Sequence, residues 1–142
     1  MSCLEIGQVV WLKIRFNNNG EIARTEHPYL VIDIDDDLDA IEVAQIDSVE
    51  GKGQKAFFRS NKIILCTDPN ETVISKDSFV QLDNTIKIEN CSDLVNYRPR
   101  IDKLSEEKLA SVLSAYNNYH SRYEIDDNKN VYISREELLD LN

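Results

Sequence analysis

His27, one of the chain's 2 histidines, directly precedes Pro28 and the apolar run Tyr29-Leu30-Val31-Ile32. Proline fixes its own φ and favours an extended conformation for the residue before it. We therefore expect His27 at the mouth of a buried strand, where an imidazole that titrates near neutral pH can do proton chemistry. Taken alone, the pattern is more typical of an exposed loop histidine before a turn proline.

The C-terminal segment holds a second set of residues with possible chemistry, oxygen-bearing side chains at the spacing of an EF-hand calcium loop. The sixth position of such a loop needs a positive φ and hence glycine, but here it is the β-branched Val131. We therefore expect no metal site, because a polar connector into a short capped helix explains the same residues. The side chains at the ligand positions are Asp126, Asn128, Asn130, Ser134 and Glu137, and Tyr132 would offer its carbonyl.

Length, charge and cysteine usage limit the class of protein. With 142 residues and a formal net charge of −10, the chain is long enough for a core but too acidic for a general polyanion binder. It contains no apolar run that predicts a membrane span, and Met1-Ser2-Cys3-Leu4-Glu5 does not resemble a secretory signal. Three widely spaced cysteines predict reduced thiols in a cytoplasmic protein. They are Cys3, Cys66 and Cys91.

The elements that must position these residues are mainly strands. About the first 90 residues consist of short apolar or alternating runs separated by turn signals, which favours a small barrel over a parallel sheet. One run, Tyr29–Ile34, is nearly all apolar and predicts a central strand. The predicted strands are Val9–Phe16, Tyr29–Ile34, Ala40–Ile46, Lys55–Arg59, Lys62–Cys66 and a final pair formed by Phe79–Leu82 and Thr85–Ile88.

After Leu104 the sequence takes on the period of a helix. Ser105 predicts an N-cap, and two glutamates follow it at the positive end of the helix dipole. One apolar stripe recurs at three- and four-residue intervals, and we expect it to cover the open side of the barrel. The stripe consists of Leu109, Val112, Leu113, Tyr116 and Tyr119. We divide the chain into a barrel with its closing helix, residues 1–122, and a polar C-terminal extension, residues 123–142, with a helical signal at Arg135–Leu141.

Five short segments follow one another in a characteristic order over about residues 6–120. They are Gly7–Trp11, His27–Ile32, Val43–Ser48, Lys76–Asp83 and Lys103–Ser105. Together they resemble PemK/MazF-like toxins, which carry an Arg-Pro-x-Leu-Val-Ile segment, a third strand ending in Thr or Ser, an Asp-Ser-x-Val strand and a Lys-Leu-Ser segment before a helix.

The resemblance implies an SH3-like β-barrel with a C-terminal helix, usually a homodimer. The fold class is then mainly β with a C-terminal helix (α+β), plus a short helical tail. The implied activity is sequence-selective cleavage of single-stranded RNA without a metal or other cofactor. The implied partner is a cognate antitoxin protein, whose acidic, partly disordered segment lies along the RNA groove.

Cleavage of this kind needs a base for the 2′-hydroxyl, an acid for the leaving oxygen, and a cation or donors for the phosphorane. In the family, the Arg before Pro and the Thr or Ser at the end of the third strand supply much of this. Here the Arg position holds His27, and the Thr position holds Asp47, or Ser48 after a one-residue shift. In one account His27 is the acid or base, Asp47 orients its imidazole and Ser48 donates to the phosphate.

Two other accounts fit the same departure from the family pattern. In the second account, Arg24 or Arg59 supplies the cation. In the third account, catalysis is lost and the protein only binds RNA, DNA or a protein partner. In a barrel these basic residues would line one side of a nucleic-acid-binding groove, and a phenylalanine would be available to stack on a base. The alternative is that the lysines only solubilise a loop. The candidate nucleic-acid-binding residues are Arg24, Lys52, Lys55, Phe58 and Arg59.

Overall fold

The computed structural model describes residues 4–66, 73–97 and 103–142. In these ranges the chain has a mixed α+β fold, which confirms the predicted α+β class: six strands form one mostly antiparallel sheet, accompanied by two α-helices. The strands are β1 (Val9–Leu12), β2 (His27–Asp35), β3 (Ala40–Ser48), β4 (Asn61–Ile64), β5 (Ser78–Glu89) and β6 (Val131–Ile133). The helices are α1 (Glu106–Arg122) and α2 (Arg135–Leu141).

The strand order is β1-β2-β3-β5-β4, and the short β6 pairs in parallel with the C-terminal part of β5. One edge of β5 is thus shared, since β4 pairs with Ser78–Gln81 and β6 pairs with Ile86–Ile88. No strand pairing among the described residues joins β1 to β4. The sheet is therefore open, and a closed SH3-like barrel is not confirmed.

Two hydrophobic clusters cover the two faces of the sheet. Along β2, Tyr29 and Val31 pack into one cluster, and Leu30 and Ile32 pack into the other. This follows from the strand geometry, in which successive side chains point to opposite faces. As its apolar sequence predicted, β2 is buried on both faces and lies between two other strands.

One face of the sheet is covered by α1. The Oγ of Ser105 accepts a hydrogen bond from the backbone N–H of Lys108 at 3.4 Å, which confirms the predicted N-cap. Val112 is fully buried, and the other stripe residues pack partly buried against the same cluster. Within the described residues, no helix has both the length and the apolar character needed to cross a membrane.

The other face is completed by the C-terminal segment. Val131, Ile133 and Leu138 are at most 1% exposed and belong to the same cluster as Tyr29 and Val31. The side chain of Asn142 donates to the carbonyl of Lys13 and accepts from its N–H, both at 2.9 Å. The polar composition of residues 123–142 gave no indication of this contribution to the core.

The predicted strand Lys55–Arg59 is wrong, because these residues lie in a 3₁₀ helix, Gly53–Phe57, and the turn after it. The carbonyl of Lys55 accepts from the N–H of Phe58 at 3.2 Å and from the side chain of Asn61 at 2.7 Å. Local bonds of this kind satisfy the backbone without a partner strand.

The larger differences among the other strands concern the first strand and the predicted final pair. The first strand ends at Leu12, because the amide side chain of Asn142 takes the place of a partner strand at Lys13. The predicted pair Phe79–Leu82 and Thr85–Ile88 is a single strand, β5. The strand continues because β3 pairs with it at both ends, across an irregularity between Ala44 and Ile46.

Candidate functional site

The three predicted catalytic residues lie around one pocket of about 210 Å³, which we call the His27 pocket. His27 begins β2, and Asp47 and Ser48 end β3. The antiparallel pairing of Tyr29 with Gln45 places the start of β2 beside the end of β3. Since His27 and Asp47 each lie two residues beyond that pair, the ladder brings both to the same corner of the sheet.

Apolar and aromatic side chains form much of the wall of the His27 pocket. Ile46 and Ile74 come from the cluster under α1, and Trp11, opposite Pro28 in the β1–β2 pairing, is 42% exposed. An apolar wall with a few convergent polar groups is typical of a ligand pocket. The full lining is Trp11, His27, Pro28, Ile46, Asp47, Ser48, Val73, Ile74, Ser75, Lys76 and Ser78.

The carboxylate of Asp47 is engaged on both oxygens. Its Oδ1 accepts from the N–H of Ser48 at 2.9 Å, and its Oδ2 lies 3.4 Å from the ammonium of Lys52. The imidazole of His27 makes no hydrogen bond or ion pair to any residue that the structure describes. Orientation of His27 by Asp47 therefore stays a prediction, whereas contact between Asp47 and Lys52 is observed.

Within the described ranges, the hydroxyl of Ser48 donates to no other group. Its Oγ accepts from the N–H of Glu50 at 3.2 Å, and a hydroxyl that accepts one bond can still donate another. The neighbouring Ser78, which pairs with Ser48 across the β3–β5 ladder, instead donates to the carbonyl of Lys76 at 2.9 Å. Of the two serines, Ser48 is thus the one with a hydroxyl proton available for an anion.

The predicted nucleic-acid-binding residues do not form one cluster. Lys52 lies beside the His27 pocket through its contact with Asp47. Lys55 and Phe58 are exposed on the segment between β3 and β4, where Phe58 is 55% exposed. Phe57 is 69% exposed, so neither phenylalanine lies in the core. Arg24 is exposed in the segment before β2.

Arg59 lies at a second pocket, of about 230 Å³, between the start of β4 and the C-terminal half of α1. We call it the Arg59 pocket. Its lining is Arg59, Asn61, Leu82, Ala115, Asn118, Tyr119, Arg122 and Tyr123. Sequence reasoning missed Arg122 and Tyr123, which no local motif connects to residue 59. It also missed Trp11, because a continuous apolar run such as Val9–Leu12 does not show which of its side chains is exposed.

A third polar cluster links α1 to the middle of the sheet. The Oε2 atom of Glu42 accepts from the hydroxyls of Tyr116 and Thr85 at 2.5 and 2.6 Å. Burial, and then the neighbouring Glu42, raise the pKa of Tyr116 well above its ordinary value. The tyrosine therefore stays protonated and holds the helix on the sheet.

The candidate calcium-ligand residues face other partners. The Glu137 carboxylate binds Arg15 at 2.9 Å, and Asp126 Oδ1 accepts from the N–H of Asn128 at 2.9 Å. Val131, at the position that a calcium loop gives to glycine, begins β6. In the described ranges, no group of three or more His, Cys, Asp or Glu side chains is arranged to hold a metal ion.

Comparison with known proteins gives no assignment of family. No model of a protein family matches the chain, and no curated protein sequence matches it at a significant level.

Proposed function

We propose that the protein is a metal-independent endoribonuclease that cleaves single-stranded RNA, as its resemblance to PemK/MazF-like toxins implies. The observation that carries the proposal is the His27 pocket, where His27, Asp47 and Ser48 converge from two strands beside Trp11. On this proposal, the open sheet with α1 corresponds to the family's SH3-like barrel and helix.

The chemistry assigns a role to each of these groups. The imidazole of His27 takes the proton of the 2′-hydroxyl, whose oxygen forms a bond to its own phosphorus. The bond from phosphorus to the 5′-oxygen breaks, and that oxygen takes a proton from a solvent water, whose hydroxide is neutralised by the proton that His27 has accepted. The Ser48 hydroxyl donates to the phosphorane oxygens, and Lys52 supplies positive charge beside Asp47. The exposed ring of Trp11 offers a stacking surface for a base.

The proposed partners follow from the resemblance alone. They are single-stranded RNA, a cognate antitoxin with an acidic segment, and a second copy of the chain in a homodimer. The proposed location is the cytoplasm, where such a toxin meets its RNA.

A second candidate function is a binding module that keeps the fold without the catalysis. One observation favours it: Asp47 contacts Lys52 rather than His27, so the imidazole has no orienting group among the described residues. Such a module would use the same pocket to bind RNA, DNA or a protein.

Incubation of mixed-sequence single-stranded RNA with the protein, with and without EDTA, separates the two candidates. We expect cleavage that EDTA leaves unchanged and that His27→Ala removes. The matched control is His120→Ala, because His120 is the other histidine and lies at the C-terminal end of α1, outside the His27 pocket.

If the wild type and His27→Ala leave the RNA equally intact, the enzyme proposal fails and the binding module stands. Equal cleavage by both would remove His27 from the mechanism. Growth arrest on expression, abolished by His27→Ala but not by His120→Ala, tests the same residue in cells.

A further inference from the structure

The Arg59 pocket concentrates positive charge on an acidic protein. Among the residues that the structure describes, its charged lining residues are Arg59 and Arg122 and no carboxylate lines it, although the chain has a net charge of −10. In the part of the chain that the structure describes, neither guanidinium has an ion-pair partner. One nitrogen of Arg59 donates to the hydroxyl of Tyr123 at 3.1 Å, and its other N–H groups donate to none of the residues in the described ranges. This arrangement suits an anion, above all a phosphate.

Aromatic rings stand beside the two guanidinium groups. The rings of Tyr119 and Tyr123 lie 4.8 Å apart at an angle of 33°, and Tyr123 is 38% exposed. Phe58, directly before Arg59, is 55% exposed. Burial, followed by the charge of Asp83, raises the pKa of Tyr119, so its ring remains a neutral phenol. Accessible rings next to cations fit a ligand that joins a planar base to a phosphate.

The Arg59 pocket and the His27 pocket lie along the same strand. Ser78 lines the His27 pocket and Leu82 lines the Arg59 pocket, and both belong to β5. Residues four apart in a strand are about 13 Å apart and point to the same face. The segment between β3 and β4 connects the same two places, since Lys52 contacts Asp47 and Arg59 contacts Tyr123. A single strand of a few nucleotides can span this distance, because one binding site typically covers about 4–16 nucleotides.

We propose that the Arg59 pocket binds a nucleotide of the same single strand that enters the His27 pocket, a few positions away from the bond to be cleaved. The inference rests on the proposed function for the identity of the strand. The two arginines hold the phosphate, and Tyr123 stacks on the base. The pocket then contributes affinity and register to the substrate rather than chemistry.

Binding is measured with a fluorescent 12-nucleotide RNA that is 2′-O-methylated throughout, so that cleavage through the 2′-hydroxyl is impossible. The protein is used unaltered and as Arg59→Ala, Arg122→Ala, the double variant and Tyr123→Ala. The control is Arg135→Ala, which removes the same charge from α2. A DNA strand of the same sequence and free AMP serve as further probes.

We expect the double variant to bind the 12-nucleotide strand about tenfold or more weakly, and each arginine to account for about 0.7 of the slope of log affinity against log salt. Tyr123→Ala should weaken binding about fivefold or more at all salt concentrations. Arg135→Ala should stay close to the wild type. The DNA strand should show the same dependence, because the pocket contacts phosphate and base rather than the 2′-hydroxyl.

Wild-type affinity in the double variant would overturn the proposal, even if the protein cleaves RNA. Equally tight binding of AMP would also overturn it, because the ligand would then be a free nucleotide. Loss of binding in the double variant together with absence of cleavage in the wild type would retain the Arg59 pocket and reject the endoribonuclease.

Discussion

The guanidinium of Arg15 and the carboxylate of Glu137, 122 residues apart in sequence, form a two-point ion pair with Nε–Oε2 at 2.9 Å and Nη2–Oε1 at 3.3 Å. Arg15 also donates to Asn18 at 2.8 Å and to the carbonyl of Tyr132 at 2.9 Å. One side chain thereby joins the segment after β1 to both β6 and α2. The C-terminal residues thereby anchor the segment between β1 and β2, which ends at His27.

Replacement of Glu137 by glutamine should lower the free energy of unfolding by about 1–3 kcal/mol, because a charge-assisted pair becomes a neutral one. Both side chains are shielded, at 20% exposure for Arg15 and 32% for Glu137. Urea denaturation at neutral pH measures the change. The neighbouring Glu136→Gln, at an exposed position, is the control and should have little effect. Equal effects of the two variants would contradict a stabilising role of the pair.

Leu138→Ala should destabilise the protein by about 2–5 kcal/mol, since it leaves a cavity in a packed core. Leu138 is fully buried, whereas the adjacent Leu139 is 37% exposed. Leu139→Ala therefore removes the same atoms from the same helix without a cavity and should cost much less. Thermal unfolding of the two variants side by side gives the comparison. Similar melting temperatures would mean that α2 does not dock on the sheet in solution.

The pair of Asp93 and Arg135 predicts a dependence of stability on acid. The hydrogen bond that the Asp93 carboxylate accepts from Arg135 is the main reason that the pKa of Asp93 lies below its ordinary value. A carboxyl with a lowered folded-state pKa stabilises the protein at a pH above its unfolded pKa, about 3.9, and this contribution is lost as the pH falls through the folded value.

We therefore expect wild type and Asp93→Asn to differ in urea midpoint near pH 7 and to converge in acid below about pH 3.9. Asp140→Asn, at an exposed position of α2, is the control. A difference that stays constant down to acid pH would show that the charge of Asp93 is not its source.

The fluorescence of Trp11 reports directly on binding in the His27 pocket, because Trp11 is the single tryptophan of the chain and lines that pocket. Titration with the 2′-O-methylated RNA strand should change its fluorescence. Trp11→Ala should weaken binding of the strand by about 1–3 kcal/mol through loss of base stacking, and Trp11→Phe should retain most of the affinity. Unchanged fluorescence on saturation with the strand would place the RNA elsewhere.

The local sequence pattern correctly predicted those helices and strands whose formation depends mainly on residues within the same element. The cap at Ser105 and the apolar stripe of α1 were correct because cap geometry and helical period are both local properties. The apolar run of β2 was correct because burial on both faces leaves a continuous apolar signal. In contrast, β6 could not be predicted, because it has only 3 residues and depends on parallel pairing with the distant β5, which no neighbouring residue indicates.

The residues of the candidate site also fall into those whose position was predicted correctly and those whose position depends on long-range packing. His27, Asp47 and Ser48 were grouped because the resemblance to PemK/MazF-like toxins gives their positions to catalytic residues, and the structure brings all three to one pocket. Arg59 was expected near them because the predicted barrel would place its basic residues along one groove. The 3₁₀ helix turns the chain between Lys52 and Arg59, so that Arg59 instead meets the end of α1. Long-range packing of α1 decides that position.

The shared edge of β5 has a consequence for self-association. In an open sheet, an unpaired stretch of strand is a template for a strand of another molecule. By pairing with Ile86–Ile88, β6 occupies a part of that edge that β4 does not reach. Truncation before Val131 would thus do more than remove core side chains, because it would bare a row of backbone N–H and C=O groups. We expect the truncated protein to aggregate through this exposed strand edge. In the intact protein, the three-residue strand β6 therefore protects the sheet against aggregation.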